Sequence, residues 1–270
     1  MNVVRSIAEV RRALEPRAGR TPVGFVPTMG ALHDGHAALF RQARRESRSV
    51  VASIFVNPKQ FNDPRDLAAY PRTEERDAEI AAAAGVDVLF VPSVHEIYPD
   101  SLATRVQMTG PALGFEGDHR PGHFDGVALV CLKLFGIVSP DIAYFGQKDA
   151  QQVAVLRQLV RDANLNFDLR VGATVRDADK VALSSRNTRL SVDERVRARA
   201  IPVALEAGLG AYRAGADPAR AARDVLADFD IEYAAVADFP GDPTLVVAVR
   251  LGATRLIDNV PLRDPARAGL

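Results

Sequence analysis

His33 and His36 stand three residues apart in "PTMGALHDGHAALF" (27–40), with Gly30 ahead of them and an apolar helical run behind. Imidazoles at that spacing share one face of a helix, and three uses are open to them. They could ligate a metal. Zinc would still need a third protein ligand, and the chain offers only three more histidines, at 95, 119 and 123, and no His-Glu-x-x-His pattern. They could be ordinary capping or surface residues. They could also meet an anion, because a helix N-terminus presents unpaired N–H groups and about half a positive charge. Gly35 would let a phosphate approach the backbone, and the imidazoles would steady charge developing in a transition state. The layout is neither a Walker A loop nor a Gly-x-Gly-x-x-Gly fingerprint, so a P-loop ATPase or a dehydrogenase is unsupported.

Other stretches carry usable groups. "VRDADKVALSSRNTRL" (175–190) concentrates Ser184, Ser185 and Arg186, which by themselves make only a turn ahead of a helix cap at Ser191. Lys148 in "FGQKD" is a cation at a helix start, where the dipole disfavours it. Asn57, Gln60 and Gln152 are neutral amides that could orient a carboxylate or hydroxyl, but each alone is as well explained by solvation or a turn.

These groups need a frame. "VGFVPT" (23–28), "VVASIFV" (50–56), "VDVLFVPS" (86–93) and "DIAYFG" (141–146) read as buried strands. Helical patterns at 34–47, 73–85, 126–138 and 149–163 alternate with them, which predicts an α/β fold with a parallel sheet covered on both faces. Such sheets bind ligands outside the carboxyl ends of their strands. Helices are predicted over 191–215 and 217–229, followed by the strand-like runs "IEYAAVAD", "TLVVAVRLG" and "TRLIDNV". That change of rhythm predicts a Rossmann-like domain over 1–180 and a small α+β C-terminal domain over 181–270.

The chain has 270 residues, 47% hydrophobic and 25% charged, as in an ordinary soluble domain. Its 34 basic and 34 acidic residues cancel, so no global field draws nucleic acid or an anionic membrane. Cys131 is the only cysteine, which excludes an internal disulfide and any thiolate cluster. The opening "MNVVRSIAEVRRALEPRAGR" lacks a signal-peptide core, and no apolar run is long enough to span a membrane. The expectation is a cytoplasmic protein.

The histidine pair resembles the His-x-Gly-His signature of the nucleotidyltransferase superfamily, and the Ser-Ser-Arg loop resembles its second signature. Longer stretches narrow this. "SIFVNPKQFNDPRDLAAYPRT" (53–73), "RPGHFDGVALVCLKLFGIVSPDIAYFGQKDAQQ" (120–152), "VALSSRN" (181–187) and "VAVRLGATRLIDN" (247–259) are similar, in the same order, to the pantothenate synthetase family. The resemblance runs from about residue 20 to 260. It implies ATP-dependent joining of pantoate to β-alanine through a pantoyl adenylate, with the smaller domain closing over the site.

Carried over residue by residue, the resemblance assigns Met29, Gly30, Ala31, Leu32, His33, Asp34, Gly35 and His36 to ATP, with His36 as proton donor and His33 as a second phosphate contact. It places Lys148 on the phosphates, Gly146, Gln147 and Asp149 around the nucleotide, Val175 against it through the backbone, and Leu183, Ser184, Ser185 and Arg186 on the phosphates. Catalysis would rest on His36, His33 and Lys148. Pantoate and β-alanine fall to Gln60, Gln152 and Asn57. The resemblance also implies Mg²⁺ held mainly through ATP phosphates, and a homodimer without nucleic-acid or membrane partners.

Ala150, Gly136 and Lys180 depart from the usual pattern, Lys180 standing where glycine is frequent, either to stiffen the phosphate loop or to add a phosphate contact. Glu74, Glu75 and Asp77 do not align cleanly with acidic residues that the family sometimes links to metal, and are left out of the site. The rival readings are a nucleotidyltransferase passing AMP to a phosphate acceptor and a non-catalytic nucleotide-binding module.

Overall fold

The computed structural model describes residues 1–15, 22–239 and 242–270, so the end of the opening segment read above for its charges lies outside the described residues. Two compact units emerge. One comprises Met1–Phe145 with Gln151–Gly172, the other Gly146–Ala150 with Ala173–Leu270.

The first unit runs β1 (Asn2–Val4), α1 (Ile7–Leu14), β2 (Val23–Thr28), α2 (Asp34–Glu46), β3 (Ser49–Ile54), α3 (Pro64–Ala68), α4 (Glu74–Ala83), β4 (Val88–Phe90), α5 (Val94–Ile97), α6 (Glu116–His119), α7 (His123–Val138), β5 (Ile142–Gly146), α8 (Ala150–Asp162) and β6 (Asp168–Gly172). Its sheet has the order β1-β4-β3-β2-β5-β6, and β1·β4, β4·β3, β3·β2 and β2·β5 pair parallel. The inner strands are apolar on both sides because each face is covered. Val10, Phe25, Val51, Val127, Leu134 and Leu156 belong to one core; Val26, Ala52, Leu39, Phe40 and Ala81 belong to the other. Alternate residues of β2 and β3 thus enter opposite cores, the period of two expected of a strand. Helix α7 is buried on nearly all sides, which explains its apolar sequence.

Strand order reverses between β2 and β5, the point where open α/β sheets bind ligands. Pro27 helps to part the sheet there. The Val23 N–H donates to the Asp141 carboxyl and the Val23 carbonyl accepts from the Asp141 N–H, so residues 23, 25 and 27 turn their peptide edges toward β5. Pairing with β5 stops at Phe25↔Ala143, and the N–H that Pro27 lacks falls just beyond it. On the other edge β2 stays paired with β3 to Thr28↔Ile54.

The second unit carries α9 (Val192–Ala198), α10 (Ala200–Arg213), α11 (Pro218–Val225), β7 (Asp230–Phe239), β8 (Asp242–Leu251) and β9 (Thr254–Pro261). The three strands form an antiparallel sheet in chain order. Leu205 and Leu209 of α10, Ala222 of α11 and Leu245, Val247 and Val260 of the sheet share its core. The expected α/β frame and three C-terminal strands are present.

Two of the differences from the sequence reading have a plain physical cause. The helix expected over 191–215 breaks at Arg199, because Pro202 in the first turn of α10 has no N–H to continue a hydrogen-bond ladder back into α9. Strands β1 and β6 were not predicted. Both are short sheet edges with exposed positions, so neither shows the two-sided apolar run of the inner strands.

Candidate active site

His33 is the N-cap of α2, with extended backbone at φ −143° and ψ 177°. Its Nδ1 accepts the Gly35 N–H at 3.2 Å, and His36 Nδ1 accepts the His33 N–H at 3.3 Å. The two rings therefore build a reciprocal capping box from imidazoles, centroids 4.2 Å apart. Capping takes up the Nδ1 atoms of both rings. A ring whose Nδ1 accepts carries its proton on Nε2, so each histidine brings an Nε2–H donor. A zinc-ligating imidazole has the opposite arrangement, donating from its second nitrogen to a neighbour. A Cβ at Gly35 would lie 2.9 Å from His33 Cε1, so glycine here also makes room for the His33 ring.

The loop before the pair is held by a residue the sequence reading passed over. Asp77 of α4 is fully buried, and its carboxyl oxygens accept the Ala31 and Leu32 N–H groups, each at 2.8 Å. The Thr73 hydroxyl adds a third bond at 3.1 Å. Gly30 and Ala31 both have positive φ, +81° and +51°, and Thr28 Oγ1 accepts the Gly30 N–H while donating to the Ser53 carbonyl. A left-handed alanine is strained by roughly 1–2 kcal/mol, and the two bonds to Asp77 offset that. Asp77→Asn turns one acceptor into a donor facing an N–H. It is expected to destabilise the unit by about 1–3 kcal/mol, read as a lower urea midpoint; an unchanged midpoint would contradict the clamp.

The amide residues form a second cluster in the same unit. Asn57 is buried; its Nδ2 donates to Gln60 Oε1 at 2.9 Å and to the Gly126 carbonyl at 3.0 Å, and its Oδ1 accepts the Tyr98 hydroxyl at 2.9 Å. Gln60 Nε2 lies 3.1 Å from Met29 Sδ, which joins the turn to the loop ahead of the histidines. His123 Nδ1 donates to the Gln60 carbonyl at 2.9 Å, while Arg120 donates to His123 Nε2 at 3.0 Å. A Cβ at Gly126 would run into the Lys59 carbonyl, so glycine lets α7 lie against this turn. Asn57 thus acts on Gln60 as well as being a candidate contact. Tyr98, His123 and Gly126 support the turn and were not singled out from sequence; for His123 and Gly126 the one hint was membership of the long 120–152 stretch. Gln152 lies half-buried on the first turn of α8.

In the second unit, Gly146 leads into a turn containing Gln147, Lys148 and Asp149. Lys148 Nζ is 3.6 Å from Asp149 Oδ1, with the lysine side chain 20% exposed. Gln147 is buried, its amide donating to Asn259 Oδ1 at 3.0 Å. Residues 176–182 form a hairpin closed by the Arg176↔Ala182 bridge, and the Leu183 N–H donates to the Val175 carbonyl at 2.9 Å. Lys180 sits at φ +70° in its turn, a conformation glycine adopts freely. Ser184 then caps a short 3-10 turn, Oγ accepting the Arg186 N–H at 3.2 Å, while Ser185 and Arg186 lie on it, half-buried. Ser191 caps α9 with Glu194 in a full capping box.

The Cys131 thiol is buried and pushed up to about 12, which removes it from chemistry near neutrality. Among the described residues no three His, Cys, Asp or Glu side chains are grouped to hold a metal ion, and no helix is long and apolar enough to cross a membrane.

The first unit thus offers imidazoles at a helix start and a buried amide turn, and the second offers a lysine turn and, after its hairpin, the hydroxyls of Ser184 and Ser185. Comparison with known proteins identifies the family. A family profile described as pantoate-beta-alanine ligase matches residues 2–261. The pantothenate synthetase of Cereibacter sphaeroides is 47% identical over 276 residues, covering 96% of this chain and 99% of that relative. The crystal structure of pantothenate synthetase from Thermus thermophilus superposes with a TM-score of 0.90 at 44% identity, covering 97% and 99% of the two chains. A pantoate-beta-alanine ligase from Francisella tularensis, complexed with beta-gamma ATP and beta-alanine, superposes with a TM-score of 0.82 at 34% identity, covering 97% and 98%. With its α/β sheet and separate antiparallel sheet matched over nearly their whole length, the chain belongs to the pantoate-beta-alanine ligase family.

Proposed function

We propose that this chain is an ATP-dependent acid–amine ligase that joins (R)-pantoate to β-alanine, releasing AMP and pyrophosphate. The observation that carries the reading is the family match over residues 2–261, supported by the 34%-identical relative that holds an ATP analogue and β-alanine.

A pantoate carboxylate oxygen is already a competent nucleophile, so the first step needs positioning and charge neutralisation more than a strong base. That oxygen bonds to the α-phosphorus, the bond to the β-phosphate bridge oxygen breaks, and pyrophosphate leaves with the electron pair. The neutral amine of β-alanine then attacks the acyl carbon of pantoyl adenylate, the C–O bond to AMP breaks, and the amine loses a proton.

In this reading the Nε2–H groups of His33 and His36 donate to phosphate oxygens, His36 being the proton donor, and the residues from Met29 to Gly35 line the nucleotide. Lys148 and Ser184–Arg186 neutralise the phosphates, with Leu183 and Val175 along their approach and Gly146 and Asp149 beside the ribose. Gln60 and Gln152 orient pantoate without a salt bridge that would blunt its carboxylate, Asn57 holding Gln60 in place. Mg²⁺ would arrive with ATP, neutralising phosphate charge. Such an ion keeps most of its waters and needs few protein ligands, which suits a chain whose described residues offer no acidic cage. By family resemblance and balanced charge, the enzyme works as a cytoplasmic homodimer on small molecules.

The test is AMP release with all substrates and with each omitted in turn. Pantothenate and AMP should form in equal amounts only when all three are present, and pantoate alone should support exchange of pyrophosphate into ATP. AMP transfer to a phosphate acceptor, or ATP binding without AMP, would instead establish one of the rival functions.

A further inference from the structure

Within the second unit, the lysine turn and the hairpin are joined by buried polar contacts that the reaction above leaves unused. Asn259 of β9 is 2% exposed. Its Nδ2 donates to the carbonyls of Gln147 at 3.0 Å and Lys148 at 2.8 Å, and its Oδ1 accepts the Gln147 amide at 3.0 Å. The neighbouring Asp258 forms a bidentate pair with Arg176, at 2.6 and 3.1 Å, both side chains being 3% exposed. Asp258 Oδ1 also accepts the Asn259 N–H at 2.8 Å. Arg176 donates onward to the Ala268 carbonyl at 2.8 Å and to the Lys180 carbonyl at 3.0 Å, fixing the turn in which Lys180 is left-handed. Successive side chains of a strand point to opposite sides. Here that alternation sends Asn259 to the lysine turn and Asp258 to the hairpin.

We infer that Asn259, Asp258 and Arg176 are positioning residues that hold the Lys148 turn and the hairpin leading into Ser184–Arg186 as one block, presetting the spacing of the groups that meet the ATP phosphates. This rests on the reading that Lys148 and Ser184–Arg186 touch those phosphates. A buried ion pair adds little net stability over an apolar replacement, so its contribution here is geometry. Misplacement of catalytic groups by about 1 Å slows reactions by about 10²-fold.

Asn259→Asp tests it with little change in size, because a carboxylate cannot donate to the two carbonyls. Pyrophosphate–ATP exchange should show a fall in kcat/KM for ATP of about 10–10²-fold, with KM for pantoate within about twofold and an unchanged near-ultraviolet circular dichroism spectrum. Because Asn259 acts through the lysine turn, Lys148→Ala combined with Asn259→Asp should be about as slow as Lys148→Ala alone. Should Asn259→Asp not fold, Asn259→Ser, which keeps one donor, is read the same way and should lose less. Unchanged ATP kinetics, loss matching only the unfolded fraction, or losses that multiply in the double variant would each overturn the positioning role. A Lys148→Ala enzyme with normal ATP kinetics would remove the underlying reading, and the proposal with it.

Discussion

Replacing His36 by alanine is expected to slow pantoyl adenylate formation by about 10²–10³-fold, the usual loss for one preorganised donor to transition-state charge. In the proposed reading this substitution removes two things at once. His36 would supply an Nε2–H toward phosphate, and its Nδ1 accepts the His33 N–H, closing the capping box on α2. Losing a cap costs about 1 kcal/mol of stability, too little to unfold the unit. Two further variants separate the roles. Asparagine places an oxygen near the Nδ1 position and keeps the cap but not the distal donor; glutamine reaches the Nε2 position with an N–H but abandons the cap. His36→Asn should therefore be stable and slow, whereas His36→Gln should be less stable and recover part of the rate. Quenched-flow measurement of the adenylate beside thermal unfolding reads both. A His36→Asn enzyme at near-wild-type speed would reduce the histidine to a cap.

Lys148→Ala is expected to be of comparable size, again about 10²–10³-fold on adenylation, but for a simpler reason. The main chain at Lys148 is held through its carbonyl by Asn259, an attachment that alanine retains, so the substitution removes a charge and leaves the turn in place. The effect should fall on ATP, raising its KM and lowering the adenylation rate. Chemically prepared pantoyl adenylate supplied with β-alanine should still give pantothenate, because pyrophosphate has already left by that step. Lys148→Arg should recover only part of the activity, since a planar fork does not occupy the place of a compact ammonium. If the second half-reaction slowed as much as the first, Lys148 would not be acting on the departing pyrophosphate.

Much of this was legible in one dimension. The inner strands and covering helices announce themselves through apolar runs and helical periodicity, because burial on both faces leaves a mark in consecutive residues. The short edge strands β1 and β6 leave none, being partly exposed and only three and five residues long. The same holds at the site. His33, His36, Lys148, Gln60 and Ser184–Arg186 were usable groups by type, but it was the resemblance of the longer stretches around them to a known family that gave them roles.

The sequence by itself determined the α/β class, the alternation of the inner strands with their main helices and, through long co-ordered motifs, the chemistry to look for. Those follow from local preference and residue identity. Tertiary structure alone decided which ring nitrogens of His33 and His36 the helix cap takes up, that Asp77 holds the loop before them from 45 residues away, that His123 grips the Gln60 carbonyl, and that Asn259 fixes the lysine turn across 112 positions. In sequence Asp77 sits among other acids and Asn259 lies within an ordinary strand. Their roles exist only once folding has buried them against backbone groups that need a partner, since a hydrogen bond depends on distance in space and leaves no periodic trace along the chain.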